Sequence, residues 1–301
     1  MGAGIAAELA LRLPAVETVT LWDAQDGAAE RAVGRGRDVA AALVSAGVLD
    51  SNEVQSRLRR LRAVSHLEEA LEDAGYVAEA VPEDLALKQD VFRRLDRAAP
   101  KDAVLASNTS GYDPADLARG LMHPERVVVA HYFGPAYLIP AVEVVPHAGT
   151  AAWAVDRTVA LLTAAGKRPI RLEKFVPGFV GNRLQQALFR EALWLLREGV
   201  VTPEGIDEIV RYSFGPRLAA LGPMTVADFA GLDVYASLAT NVWSTLSTEL
   251  ASDAPPQEIA ERIAAERLGA KSGGGFFDWP EDHRSAVAAT RDAALSRTLQ
   301  D

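Results

Sequence analysis

Between residues 17 and 173, short runs of β-branched and apolar residues alternate with longer runs of helical spacing; after "FVPGF" (175–179) the alternation stops. That order constrains the fold more than any other feature. "ETVTLWDA" (17–24), "LRAVS" (61–65), "YVAEAV" (76–81), "AVLASN" (103–108), "RVVVAHYF" (126–133), "PAVEVVP" (140–146) and "KRPIRLE" (167–173) read as strands. The stretch from 24 to 60, interrupted at "GVLDSNEV", and the stretches 66–73 and 83–99 have helical spacing. Two of the strands, 103–108 and 126–133, are mainly apolar, as strands covered on both faces are. Strands alternating with helices predict a doubly wound, Rossmann-like α/β sheet. Beyond 175 the runs 180–200, 202–214, 227–250 and 255–269 predict helices, and "GFFDW" is the single extended-looking piece. The expected organisation is an α/β domain over 1–174 and an all-α domain over 175–301.

Composition narrows the function classes. A hydrophobic fraction of 49% and a charged fraction of 24% suit a chain folded in water. The net charge of −10 argues against nucleic acid as a partner. No apolar run approaches the roughly 18–20 residues of a membrane helix, so no membrane association is expected. With no cysteine there are no disulfides, thiolate metal sites or cysteine nucleophile, and a reducing cytoplasmic location is expected. The start shows no charged stretch and cleavage pattern, so no signal peptide is expected.

The chain opens "MGAGIAAELALRL", a glycine leading directly into a helix over 3–12. In a dinucleotide-binding fold the third glycine of G-x-G-x-x-G lets the helix approach the sheet, and an acid about 20 positions later binds the ribose. Asp23 ends the next strand 21 residues after Gly2, which fits Gly2 as that third glycine. The first strand and first two glycines of the motif would then lie outside this sequence. Asp23 has a second reading, as a cap for the next helix.

Other stretches carry chemistry. "LASNTSGYDP" (105–114) follows an apolar strand and places Asn108 and Ser110 at the carboxyl edge, where open α/β sheets bind ligands; it also reads as an ordinary polar turn. His131 follows a buried strand, and Glu143 lies 12 residues on, inside the apolar run "AVEVV". An acid in such a run is costly without a partner, and a His–Glu pair supplies one. The carboxylate then fixes the tautomer and stabilises the imidazolium of a general base. The other histidines, His66, His123, His147 and His283, read as surface residues. Asn182 and Arg183 open the first long helix of the second domain, where an Asn also serves a helix start. Glu83 and Lys88 sit at a strand–helix connection and read by default as a solvated charge pair. "KSGGGFFDW" (271–279) follows a helix and reads as a closing turn. There is no G-x-S-x-G elbow for a serine hydrolase, and no histidine pair at metal-ligand spacing.

Together, "MGAGIA", "WDA", "EAVPEDLALKQ", "SNTS", "AHYFGPAYLIPAVEVVP", "PGFVGNRLQ", "ALGPMTVADFAGLD" and "KSGGGFFDW" resemble, in order, the L-3-hydroxyacyl-CoA dehydrogenase family. "GPAYLIPAVEVVPHAGTAAWAVDRT" looks closest to the branch that contains lambda-crystallin, whose substrates are small 3-hydroxy acids. The resemblance implies an NAD-dependent oxidoreductase acting on a small-molecule substrate, an L-3-hydroxyacyl-CoA or a small 3-hydroxy acid of the gulonate or carnitine type. It implies His131 as general base, Glu143 as its partner, Ser110 on the substrate oxygen and Asn182 in substrate positioning. Asp23 would bind the adenosine ribose, Glu83 and Lys88 would line the cofactor site, and Asn108 would lie beside the nicotinamide. The helical domain would close the cleft and form a homodimer. Arg31, Arg35 and Arg37 are placed to meet CoA phosphates or simply to solvate a helix. One departure is "HYFGP", with Gly134 where the family mostly has Asn. A sheet without its first strand also leaves open a non-catalytic relative.

Overall fold

The computed structural model describes residues 1–247 and 255–299. It divides into two compact units: the first holds Met1–Val180 together with the chain from Ala288 onward, and the second is Gly181–Val287. The division falls later than residue 174, because Phe179 is fully buried in the core of the first unit and the Val180 N–H is bonded to Glu143.

In the first unit, α1 (Gly2–Arg12) leads to β1 (Val19–Leu21). The stretch expected to be one interrupted helix is three short ones, α2 (Ala28–Gly34), α3 (Gly36–Ser45) and α4 (Val54–Leu58). Then follow β2 (Leu61–Ala63), α5 (Leu67–Leu71), β3 (Tyr76–Glu79), α6 (Leu85–Ala98), β4 (Val104–Ser107), α7 (Pro114–Leu117), β5 (Val127–Tyr132), β6 (Ala141–Pro146), α8 (Ala152–Ala164) and β7 (Arg168–Arg171). The Asp84 side chain caps α6 by accepting from the Leu87 N–H, and Asp113 caps α7 in the same way.

The strands form a parallel pair, β1–β2, and a five-stranded sheet in the order β3-β4-β5-β6-β7. Only β6 runs against its neighbour β5, and the rest pair in parallel. Alternation along the strands sorts side chains to the two faces. Val104, Ala106, Val128, Ala130, Val142 and Val144 join Ile5 and Leu9 of α1 and Leu162 of α8 on one side. Leu105, Val127, Val129 and Val145 meet Phe92, Leu95, Leu117 and Phe179 on the other. Both faces are therefore covered, as the apolar strand sequences require. A second face of α1, with Ala7, Ala10 and Leu11, packs on Val39, Leu43 and Leu61. One helix thus spans both sheets, and each large apolar side chain it buries contributes roughly 1.5–3 kcal/mol.

The second unit is built from α9 (Gly181–Arg197), α10 (Pro203–Tyr212), α11 (Gly215–Leu221), α12 (Pro223–Ala230), α13 (Leu232–Val242) and α14 (Gln257–Ala264), and α15 (Glu281–Arg297) runs from it into the first. The run expected as a single helix over 227–250 is broken at Gly231, whose φ of 100° no ordinary side chain adopts readily; its last three residues lie outside the described ones. "KSGGGFFDW" is a turn closed by isolated bridges, Gly269 to Gly274 and Gly274 to Asp278, and the described residues of this unit contain no strand. No helix among the described residues is long and apolar enough to cross a membrane.

Candidate active site

His131 is the penultimate residue of β5, and the antiparallel register sets it directly opposite Glu143 on β6. Directly opposed side chains share a face of the sheet. The imidazole Nδ1 lies 2.9 Å from Glu143 Oε2, and both residues are about 95% buried. Glu143 Oε1 accepts from the Val180 N–H at 2.9 Å. The second carboxylate oxygen is thereby held too, and the charge is satisfied in its apolar strand. Phe133 and Phe179 flank the imidazole, with ring centroids 4.8 and 5.4 Å away. The Nδ1–H directed at a carboxylate leaves Nε2 as the basic nitrogen of the neutral ring.

A second network lies at the ends of β3 and β4. Lys88 is buried rather than solvated, and its ammonium donates to Glu79 Oε1 at 2.9 Å and to the Val81 carbonyl at 3.2 Å, with Glu83 Oε2 at 3.3 Å. Ser107 Oγ donates to the other Glu79 oxygen at 2.6 Å. Glu83 accepts from Thr109 Oγ1 at 2.5 Å and from the Ser110 N–H at 2.9 Å, with Ser110 Oγ at 3.3 Å. Partial burial pushes the Glu83 carboxyl up, but the Thr109 and Ser110 hydrogen bonds and the Lys88 charge overcome it and hold the group below its ordinary value. Asn108 is half-buried, and its Oδ1 accepts from the Tyr132 N–H at 2.9 Å, tying this loop to the strand that carries His131. Glu79, Ser107 and Thr109 were not among the expected site residues. The signal for Glu79 was present: it is an acid closing an apolar run, the same costly placement that singled out Glu143.

The start of α1 lies against the end of β3. A methyl group added to Gly2 would sit 3.3 Å from the Ala80 Cβ, a closer approach than most side chains allow. No side chain caps the helix start, and the Gly4 and Ile5 N–H groups close on the Met1 carbonyl, so the Gly2 and Ala3 N–H groups are the ones that would face an anion. Asp23 is exposed two residues past β1, and its Oδ1 accepts from the Gln25 N–H at 2.8 Å in a local turn. An uncapped helix start beside a close glycine, with an exposed acid at the neighbouring strand end, is a donor and acceptor set that fits a dinucleotide. Asn182 stands in the first turn of α9, in the second unit. Gly134 joins Pro135 by a cis peptide bond. Arg31, Arg35 and Arg37 are exposed on α2, at the junction and on α3, and His66 and His283 are exposed, whereas His123 and His147 are half-buried. Among the described residues no group of three or more His, Cys, Asp or Glu is placed to hold a metal.

The chain is similar throughout to known proteins. The profile of the 3-hydroxyacyl-CoA dehydrogenase NAD binding domain matches residues 1–175, and that of the C-terminal domain of the same enzymes matches 178–279. A 5-formyl-3-hydroxy-2-methylpyridine 4-carboxylate 5-dehydrogenase of Mesorhizobium japonicum is 35% identical over 98% of this chain and 93% of its own length. An L-carnitine dehydrogenase of Streptomyces griseus is 42% identical over 76% of this chain and 69% of its own. A crystal structure of a 5-formyl-3-hydroxy-2-methylpyridine 4-carboxylic acid 5-dehydrogenase, described as an NAD+ dependent dismutase, superposes with a TM-score of 0.89 at 34% identity, covering 100% of this chain and 95% of that one. With two matching domain profiles that together span residues 1–175 and 178–279, and a relative 35% identical over 98% of the chain, the chain belongs to the NAD-dependent 3-hydroxyacyl-CoA dehydrogenase family.

Proposed function

We propose that the chain oxidises the hydroxyl of a small 3-hydroxy acid, and reduces the 3-oxo acid in reverse, with His131 as general base. The observation that carries this reading is the buried His131–Glu143 pair at 2.9 Å, closed on its far side by the Val180 N–H. NAD, when bound, supplies the hydride acceptor. His131 Nε2 takes the hydroxyl proton as the carbonyl forms, and Glu143 stabilises the imidazolium that results. On this reading Ser110, whose N–H is bonded to Glu83, hydrogen-bonds the substrate oxygen, and Asn108 stands beside the nicotinamide. Asp23 serves the adenosine ribose, where an acid disfavours a 2′-phosphate; Gly2 admits the pyrophosphate to the helix start, Glu83 and Lys88 shape the wall of that site, and Asn182 positions substrate. The first unit would serve the cofactor and the second the substrate and the dimer contacts.

Two readings of the substrate remain, a free acid and a CoA thioester within fatty acid metabolism. Relatives matched over most of this chain are named for a pyridine carboxylate and for carnitine, which supports the free acid. Exposed Arg31, Arg35 and Arg37 support the thioester. We further propose a cytoplasmic homodimer formed through the helical unit. The absence of cysteine supports the compartment, and exposed Phe229, Met224, Trp243 and Leu232 support the dimer. NAD reduction measured with L-carnitine, L-gulonate and 3-hydroxybutyryl-CoA separates the readings. Turnover of a free acid alone is expected. No turnover of any of them, together with no NADH binding, would return the non-catalytic reading.

A further inference from the structure

On the opposite face of the strand end that carries His131 lies a buried ionic cluster that the reaction above does not use. Glu8 on α1 and Lys167, just before β7, form an ion pair of 2.7 Å, and both side chains are fully buried. Lys167 also donates to the Ala136 carbonyl and, at 2.8 Å, to that of Ile139. Its ammonium lies 5.8 Å from the ring centroid of Tyr132, the residue directly after His131. Arg12, one turn along α1, stands 3.6 Å from the same Glu8 oxygen. The carbonyls that Lys167 holds belong to the connection 133–140 between the His131 and Glu143 strands. That connection begins with Phe133, whose ring meets the imidazole edge-on at 4.8 Å. The first turn of α1 packs on it as well, since a methyl on Gly4 would lie 3.8 Å from Ala136 Cβ and Tyr137 Cδ1.

Ions withdrawn from water are costly and add little stability over apolar groups of the same size. Burial opposes both charges here, raising the Glu8 carboxyl to about 7 and lowering Lys167 against the pull of its partner. What the pair provides that two apolar side chains would not is direction, because one ammonium binds a helix carboxylate, two turn carbonyls and an aromatic face. We infer that Glu8 and Lys167 are positioning residues that clamp the 133–140 connection to α1, holding the ring that flanks the general base in register with the helix start that receives the pyrophosphate. The kinetic consequence rests on the proposed dehydrogenation, whereas the structural consequence does not.

Lys167→Met removes the ammonium and keeps the stem, Lys167→Arg keeps charge and donors, and Glu8→Leu with Lys167→Met replaces the pair by apolar groups. Amide hydrogen exchange, NADH fluorescence titration and steady-state kinetics read the result. In Lys167→Met and in the double variant, exchange across 133–140 is expected to quicken about 10-fold while β4 is unchanged. NADH affinity and kcat are each expected to fall about 5–10-fold, and Lys167→Arg to restore both. If Lys167→Met does not fold, the double variant, free of an unpaired buried charge, carries the test. Wild-type exchange, NADH affinity and kcat in the double variant would make the pair merely structural and overturn the inference. If the wild type oxidises no hydroxy acid, the proposed function fails, while exchange and NADH titration still decide the clamp.

Discussion

The two units use apolar side chains in opposite ways. In the first, the strands and the helices over them bury Phe92, Leu105, Val128, Val144 and Phe179 to the last few per cent. In the second, Leu193 is the single buried apolar side chain among the described residues, while Phe229 is 87% exposed, Met224 80% and Trp243 72%. Yet α9, α10 and α14 carry amphipathic patterns as clear as those of the sheet-covering helices. A pattern of this kind records that a face is meant to be covered, and does not say by what. The first unit covers its faces with its own sheet. The second leaves large apolar side chains such as Phe229, Met224 and Trp243 exposed, which is the observation behind the proposed dimer.

That contrast can be broken by substitution. Phe92→Ala in the first unit should cost about 3–5 kcal/mol, seen as a melting temperature lowered equally at every protein concentration. Phe229→Asp with Leu232→Asp should act through association instead. The pair should convert dimer to monomer in analytical ultracentrifugation, and the concentration dependence of the wild-type melting temperature should vanish. A loss that is the same at all concentrations would place these side chains in a core and erase the difference between the units. A smaller effect concerns pH. The Glu8 carboxyl, facing Lys167, Arg12 and the buried Tyr132, titrates near 7 in the folded chain against an ordinary value of 4.5. The folded state therefore holds its proton more tightly than the unfolded one. The stability Glu8 lends is complete below pH 4.5 and is lost as pH rises to about 7. Glu8→Gln should thus gain on the wild type in melting temperature between pH 5 and pH 7.5; a constant difference would contradict the shift. Smallest of all, Arg93→Ala and Arg284→Ala, each breaking an exposed ion pair one turn long, should change stability by under about 1 kcal/mol in either unit.

Much of the first unit could be read in advance because strand and helix periods differ and because a covered sheet demands unbroken apolar strands. Every strand expected between 17 and 173 is present, shortened at its ends. Helix breaks were harder to see. The division of 24–60 into three helices turns on Gly34–Gly36 and on the "GVLD" corner, where local backbone geometry rather than hydrophobic period decides. The splitting of the main sheet into two and five strands follows from pairing between distant segments, which periodicity does not encode. The His131–Glu143 contact was legible because a carboxylate inside "AVEVV" needs a partner. Lys88 reads in the sequence as half of a solvated pair with Glu83 but is buried, because the turn from β3 into α6 sets its ammonium on Glu79, whose other oxygen is held by Ser107 only through the pairing of β3 with β4. Asp23 does not cap the next helix, which starts after Gly27 with no side-chain cap; its Oδ1 accepts from the Gln25 N–H in a turn, and the residue is exposed two positions past β1.

The most direct test of the account is His131→Ala, assayed for hydroxy acid oxidation and titrated with NADH on the same preparation. The account predicts a kcat lower by about 10²–10⁴-fold with NADH affinity nearly unchanged. Turnover near the wild-type level in this variant would remove His131, and the buried pair with Glu143, from the mechanism.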